Sequence, residues 1–180
     1  MDKNNSKDEE KDTGNLDKQV PEKSEKKKPE PAKPIALPPL IFASGLIIGF
    51  IFDSFIFRTN FYDSKFIVII GYIVISAGII FALFGLQIFL QMKENPHPHT
   101  ETNKLIIKGI FKYSRNPLYV AMAFIYIGMS VILNSLAMLI MFAPVIMIIN
   151  YGVIIREEKY LSQLFGDEFL EYKKQVRKWL

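Results

Sequence analysis

Polar and apolar residues in this chain are segregated into long blocks. Residues 1–34 are charged and Pro-containing, and the chain then turns apolar. Four apolar stretches follow, at Leu40–Phe57, Phe66–Met92, Leu118–Leu133 and Leu136–Ile155. The first comes after Pro38-Pro39, which suit a helix start because the N–H that proline lacks would have no partner there. The second is long enough to cross a bilayer with some tilt. The third, at 16 residues, spans about 24 Å, short of a hydrocarbon core of about 30 Å. It is expected to thin the bilayer locally or to begin inside the preceding loop. Only Asn134 and Ser135 separate the last two stretches, which predicts a tight helical hairpin. The expected fold is an all-α integral membrane protein of about four transmembrane helices, ending in C-terminal amphipathic helices.

Details within the blocks refine this. Gly71, Gly78 and Gly85 recur every seven residues with Ala82 nearby, a stripe that lets another helix approach closely. Asp53 falls about a turn from the end of the first stretch, where an acid reaches the interface more readily than it serves chemistry in the core. In the last segment Leu161, Leu164 and Phe165 make one apolar face. Gly166 breaks it, and Asp167 can cap a second helix carrying Phe169, Leu170, Tyr172 and Val176. Trp179 and the nearby Lys and Arg residues suit the headgroup layer.

Charge adds an orientation. Residues 1–34 hold 9 Lys against 9 acids. The remaining 13 of 22 Lys plus Arg and 9 of 18 acids put the whole net charge of +4 on residues 35–180. Residues 1–34 contain no apolar signal-peptide core, and their composition predicts a disordered cytoplasmic tail. Lys93, Lys104, Lys108, Lys112 and Arg115 follow the second stretch, and Arg156, Lys159, Lys173, Lys174, Arg177 and Lys178 follow the fourth. The loop after the first stretch has only Arg58 and Lys65, and the hairpin turn has no basic residue. Both termini and the long loop are therefore expected in the cytoplasm, next to anionic membrane lipids. Basic residues interleaved with stacking aromatics on a soluble face are missing, so no nucleic-acid partner is expected. There is no Cys. His97 and His99, with Glu94 and Glu101 nearby, sit in a Pro-rich stretch that reads as an exposed turn, and no metal is expected.

Candidate chemistry lies in two polar segments, residues 95–119 and 156–180, which flank the hairpin. Folding the hairpin brings Arg115-Asn116-Pro117-Leu118-Tyr119 near Arg156-Glu157-Glu158. Guanidinium, amide, phenol and carboxylate groups then meet at one membrane surface. From residue types alone these are equally interfacial anchors and a helix-start acid pair.

In these segments the chain resembles the isoprenylcysteine carboxyl methyltransferase family and the related phospholipid N-methyltransferases. Gly109-Ile110-Phe111, then Arg115 to Tyr119, the hairpin, Glu157-Glu158, and Phe165-Gly166-Asp167-Glu168-Phe169-Leu170-Glu171-Tyr172 follow the family pattern in order over residues 95–180. Residues 35–94 match only in hydropathy, as two transmembrane helices. The resemblance implies S-adenosylmethionine as methyl donor, held by Asn103, Lys104, Leu105, Ile106, Phe111, Asn116, Pro117, Leu118, Tyr119 and Glu157. It also implies a lipophilic or lipidated acceptor entering from the bilayer. A prenylated cysteine-like carboxylate comes first and a phospholipid amine second.

Two departures stand out. Asn116 occupies a position where many members have His, and Asn does not titrate near neutrality. Val153 stands where carboxyl methylators place a substrate-binding Arg. Arg156, three residues on, lies on roughly the same helical face and is expected, with Arg115, to meet the substrate. The rivals are a membrane NADPH-dependent steroid-type reductase, which shares a similar C-terminal architecture, and a non-catalytic membrane scaffold.

Overall fold

The computed structural model describes residues 29–57, 62–94 and 103–180. Most of the 1–34 tail and the His97/His99 pair lie outside the described residues. Among those residues the protein is all-helical. The elements are α1 (Pro38–Phe52), continued by a π-helical turn (Asp53–Phe57), then α2 (Lys65–Met92), a 3₁₀ turn (Gly109–Lys112) and α3 (Pro117–Ile132). After these come α4 (Leu136–Ile148), a second π-helical stretch (Ile149–Ile154), α5 (Ile155–Phe165) and α6 (Asp167–Gln175). Among the described residues three helices are long and apolar enough to cross a membrane, and α3 is a shorter apolar helix of 16 residues.

Local chemistry sets the helix ends. Pro38 and Pro39 open α1, and Pro117 opens α3. Ser64 and Ser135 cap α2 and α4, their hydroxyls accepting from Phe66 N at 3.3 Å and Met138 N at 3.2 Å. Asn134 takes a left-handed φ of 51° at the hairpin turn, a conformation that Asn tolerates. Its side chain also donates to Tyr62 O (2.7 Å) and accepts from Tyr62 N (3.2 Å), which ties the turn to the entry of α2.

The fourth apolar stretch does not stop at Ile155. It continues as one helical run from Leu136 to Phe165, 30 residues. Such a run is about 45 Å long against about 30 Å of hydrocarbon. The charged last third, from Arg156 onward, therefore projects past the apolar layer. The π-helical stretch inside this run adds a residue to the turn, and Ile155 N donates to Asn150 O, five residues back. Such insertions rotate everything downstream, here the acids at 157 and 158.

The glycine stripe of α2 lies against α3, the most extensive helix pair. A Cβ at Gly71 would sit 2.7 Å from Ile132 Cγ1, one at Gly78 2.9 Å from Ala121 O, and one at Gly85 2.8 Å from Leu118 Cδ2. In lipid no hydrophobic force drives helix association, so backbone proximity and dispersion hold this pair. On the other side α1 packs on α4. Between them Tyr126 is fully buried, its ring 6.3 Å from Phe42 and 5.3 Å from Phe142, and its hydroxyl donates to Met138 O at 3.0 Å. Asp53 starts the first π-helical turn, and its Oδ1 is buried without a hydrogen-bond partner among the described residues.

Gly78→Val is expected to destabilise the bundle by about 1–3 kcal/mol through overpacking against rigid backbone. Thermal denaturation of detergent-purified protein measures this. Gly166→Val at an open position (no atom within 4 Å of its Cβ site, φ 54°) is expected to act locally on the α5–α6 corner and leave the α2–α3 pair intact.

Candidate active site

The hairpin delivers its two polar ends to one place. Ser114, Arg115 and Asn116 precede Pro117, and Glu157 and Glu158 sit in the first turn of α5. Arg115 donates to Glu158 Oε1 through Nε (3.1 Å) and Nη2 (2.6 Å). Both side chains are more than nine-tenths buried, and Lys173 Nζ stands 3.1 Å from the other oxygen, Oε2. Burial pushes the Glu158 carboxyl up. The hydrogen bonds and charges of Arg115 and Lys173 more than offset this and hold it below the ordinary carboxylate range.

Arg115 does a second job. Its Nη1 donates to the carbonyls of Lys173 (3.2 Å) and Val176, and its backbone N–H donates to Arg177 O (2.9 Å). The side chain of Asn116 donates to Lys178 O at 2.9 Å, and Ser114 Oγ approaches the same oxygen at 3.4 Å. The extended residues after α6 are thus clasped against the start of α3. Lys178 Nζ donates to Asn150 Oδ1 at 3.1 Å, and Trp179 packs on the buried cluster around Tyr126.

Glu157 has a different environment. Its Oε1 accepts from Tyr119 Oη at 2.6 Å, and no cation pairs with it among the described residues. Burial pushes its carboxyl up to about 7; the Tyr119 hydrogen bond opposes this and the Glu158 charge adds to it. Adjacent acids are therefore driven apart, one firmly ionised and one titrating near neutrality.

A cavity of about 440 Å³ opens beside this pair, within the range of small-ligand sites. Lys104, Leu105, Ile106, Phe111, Arg115, Asn116, Pro117, Leu118, Tyr119 and Glu157 all line it. Asn103 and Arg156 do not. Asn103 donates its backbone N–H to Glu94 Oε2 (3.1 Å), pinning the loop end. Arg156 is exposed, and its Nη1 donates to Lys33 O at 2.9 Å. Val153 is fully buried in the bundle core. Opposite walls come from Leu37, Pro38 and Leu40 at the start of α1, Phe89 of α2, and Phe169 and Tyr172 of α6. Tyr172 Oη donates to Phe111 O at 2.7 Å, and Phe89 meets Phe111 edge-on at 5.6 Å. Burial raises the Tyr172 phenol, so it stays a donor at any working pH.

The α1 wall and the carbonyls of Lys173, Val176 and Lys178 were not anticipated from sequence. Pro38-Pro39 signal only a helix start, and a backbone acceptor carries no side-chain signature. Among the described residues no group of His, Asp and Glu could hold a metal.

A family model described as phospholipid methyltransferase matches residues 66–168. An uncharacterized protein of Haemophilus influenzae is 53% identical over 49 residues, which covers 26% of this chain and 73% of that protein. No solved structure gives a significant match.

Removing Arg115 as Arg115→Ala strands a buried carboxylate and is expected to cost about 3–5 kcal/mol, read as a lowered unfolding midpoint. The two acids should act on stability with opposite signs. The contribution of Glu158, whose pKa is lowered on folding, is present above the ordinary carboxylate range and fades as pH falls through its folded value. Charging Glu157 weakens the fold as pH rises from about 4.5 to about 7. Glu157→Gln should therefore flatten the decline in unfolding midpoint across that interval.

Proposed function

This chain belongs to the phospholipid methyltransferase family, and from that premise we propose that it transfers a methyl group from S-adenosylmethionine to a lipophilic acceptor drawn from the bilayer. The observation that carries this reading is the cavity in which an uncompensated Glu157, oriented by Tyr119, faces aromatic and aliphatic walls at the membrane boundary.

The residues present fit such a donor. The carboxylate of Glu157 has one described hydrogen-bond donor, Tyr119, and Oε2 is left to accept from an amino or ribose hydroxyl group. Phe111 and Tyr119 offer ring faces that favour a cationic sulfonium or wall an adenine. S-adenosylmethionine, when bound, supplies a methyl group already activated for attack. The protein is therefore asked chiefly to align the reactants and exclude water. Leu118, Met122, Leu37 and the first α1 residues, Pro38 to Leu40, form the apolar side, where water is displaced and a lipid chain can lie. Arg115 braces the wall through Glu158 and keeps Glu157 at its depth.

An acceptor headed by an amine, such as a phospholipid, is favoured by one observation. Of the two cations expected to meet the substrate, Arg115 is bonded to Glu158 and to backbone carbonyls, while Arg156 lies outside the cavity. A prenylcysteine-like carboxylate is the second reading, and Lys104, which has no ion pair among the described residues, would be its cation.

With methyl-labelled S-adenosylmethionine, label is expected in phosphatidylethanolamine vesicles rather than in a farnesylcysteine analogue. Labelling of the farnesylcysteine compound alone would select the second reading. Glu157→Gln is expected to lower kcat/KM about tenfold to a hundredfold, the loss of one charge-assisted hydrogen bond. The affinity for S-adenosylhomocysteine should fall by up to tenfold per unit as pH drops below about 7, because the ionised carboxyl is the acceptor. That dependence should vanish in Glu157→Gln.

A further inference from the structure

A second concavity, of about 300 Å³, lies beside the first, between residues 30–33 and the opening turns of α5. Glu30, Lys33, Arg156, Lys159, Tyr160 and Gln163 line it, and Ala32 and Tyr160 also line the larger cavity. Lys33 is paired with Glu30. Arg156 uses only Nη1, on Lys33 O. Its Nε and Nη2, the Lys159 ammonium and the Gln163 amide have no partner among the described residues. The groove therefore carries two uncompensated positive charges. They are three residues apart on one helix face.

Depth and chemistry agree on the occupant. Arg156 is the first charged residue after the apolar run, and just before it Tyr151 and Ile155 are 64% and 42% exposed. Donors at headgroup level stand above an apolar helix face. A guanidinium whose Nε–Nη2 edge is free matches two oxygens of a phosphate, and a neighbouring ammonium adds a point charge. Basic pockets at this level attract anionic lipids.

We propose that this groove is a binding site for the phosphate of an anionic membrane lipid, separate from the methyl-transfer cavity and sharing a wall with it. The lipid chains run along Tyr151 and Ile155. The headgroup bridges Arg156 and Lys159 while the Arg156–Lys33 bond stays in place.

The test is native mass spectrometry of delipidated, detergent-purified full chain titrated with short-chain phosphatidylglycerol, phosphatidylcholine or inorganic phosphate. Phosphatidylglycerol should bind most tightly. Its affinity should fall about fivefold in Lys159→Gln and roughly thirtyfold in Arg156→Gln/Lys159→Gln, and should stay unchanged in Lys65→Gln. Lys159→Gln leaves the Arg156–Lys33 bond alone and should bind S-adenosylhomocysteine as the parent does, which separates this site from the methyl-transfer reading. Undiminished phosphatidylglycerol binding in the double variant would overturn the proposal. So would inorganic phosphate binding as tightly as the lipid, because the ligand would then be a soluble anion.

Discussion

The buried Arg115–Glu158 pair is the constraint on which the polar end of this protein depends. A charge removed from water is costly unless it is paired and its remaining hydrogen-bonding groups are satisfied. Arg115 meets that condition by donating to Glu158 and to two backbone carbonyls. The same side chain thereby fixes the start of α3, the start of α5 and the segment after α6 relative to one another. Glu157 inherits its position from this arrangement. It is buried, one residue from a firmly ionised neighbour and without a cation of its own, and burial above all leaves it protonatable near neutrality.

The membrane part places these ends by a different kind of force. The α2 stripe of Gly71, Gly78 and Gly85 brings backbone against α3, and the hairpin turn is locked by the reciprocal Asn134–Tyr62 bonds. Short α3 and long α4–α5 are thus held at their common turn. The α4–α5 run then brings Glu157 and Glu158 to the opening turn of α3, where they meet Tyr119 and Arg115. The π-helical stretch at Ile149–Ile154 then sets which face of α5 meets Arg115. Gly152, within that stretch, accepts Ile35 against its backbone, where a Cβ would lie 2.6 Å from Ile35 Cδ1. Its carbonyl also takes the Ile35 N–H at 3.2 Å, which binds residues 32–37 across the helix as one side of the cavity.

Hydropathy made the helices legible, because long apolar blocks with punctuating Pro, Ser and Asn leave few alternatives. The glycine spacing gave the packed face of α2. The stretch from Lys104 to Ile106, Phe111, Arg115 to Tyr119, and Glu157, expected from the resemblance to meet the donor or the substrate, line one cavity. What could not be read was how those groups are used. Arg115 and Arg156 look alike as membrane-boundary cations, and only folding shows the first bonded to Glu158 and carbonyls and the second turned to Lys33. The continuous run from α4 into α5 was hidden because hydropathy ends at Ile155 while the backbone hydrogen bonds do not. The carbonyl clasp and the α1 wall rest on backbone and shape, and neither has a residue signature.

Calorimetric titration of detergent-purified protein with S-adenosylhomocysteine, run beside NADPH, tells whether this cavity holds a methyl donor. Saturable one-to-one binding of S-adenosylhomocysteine, with no heat from NADPH, is the predicted result. Saturable binding of NADPH alone, or of neither compound in folded protein, would mean that the cavity does not.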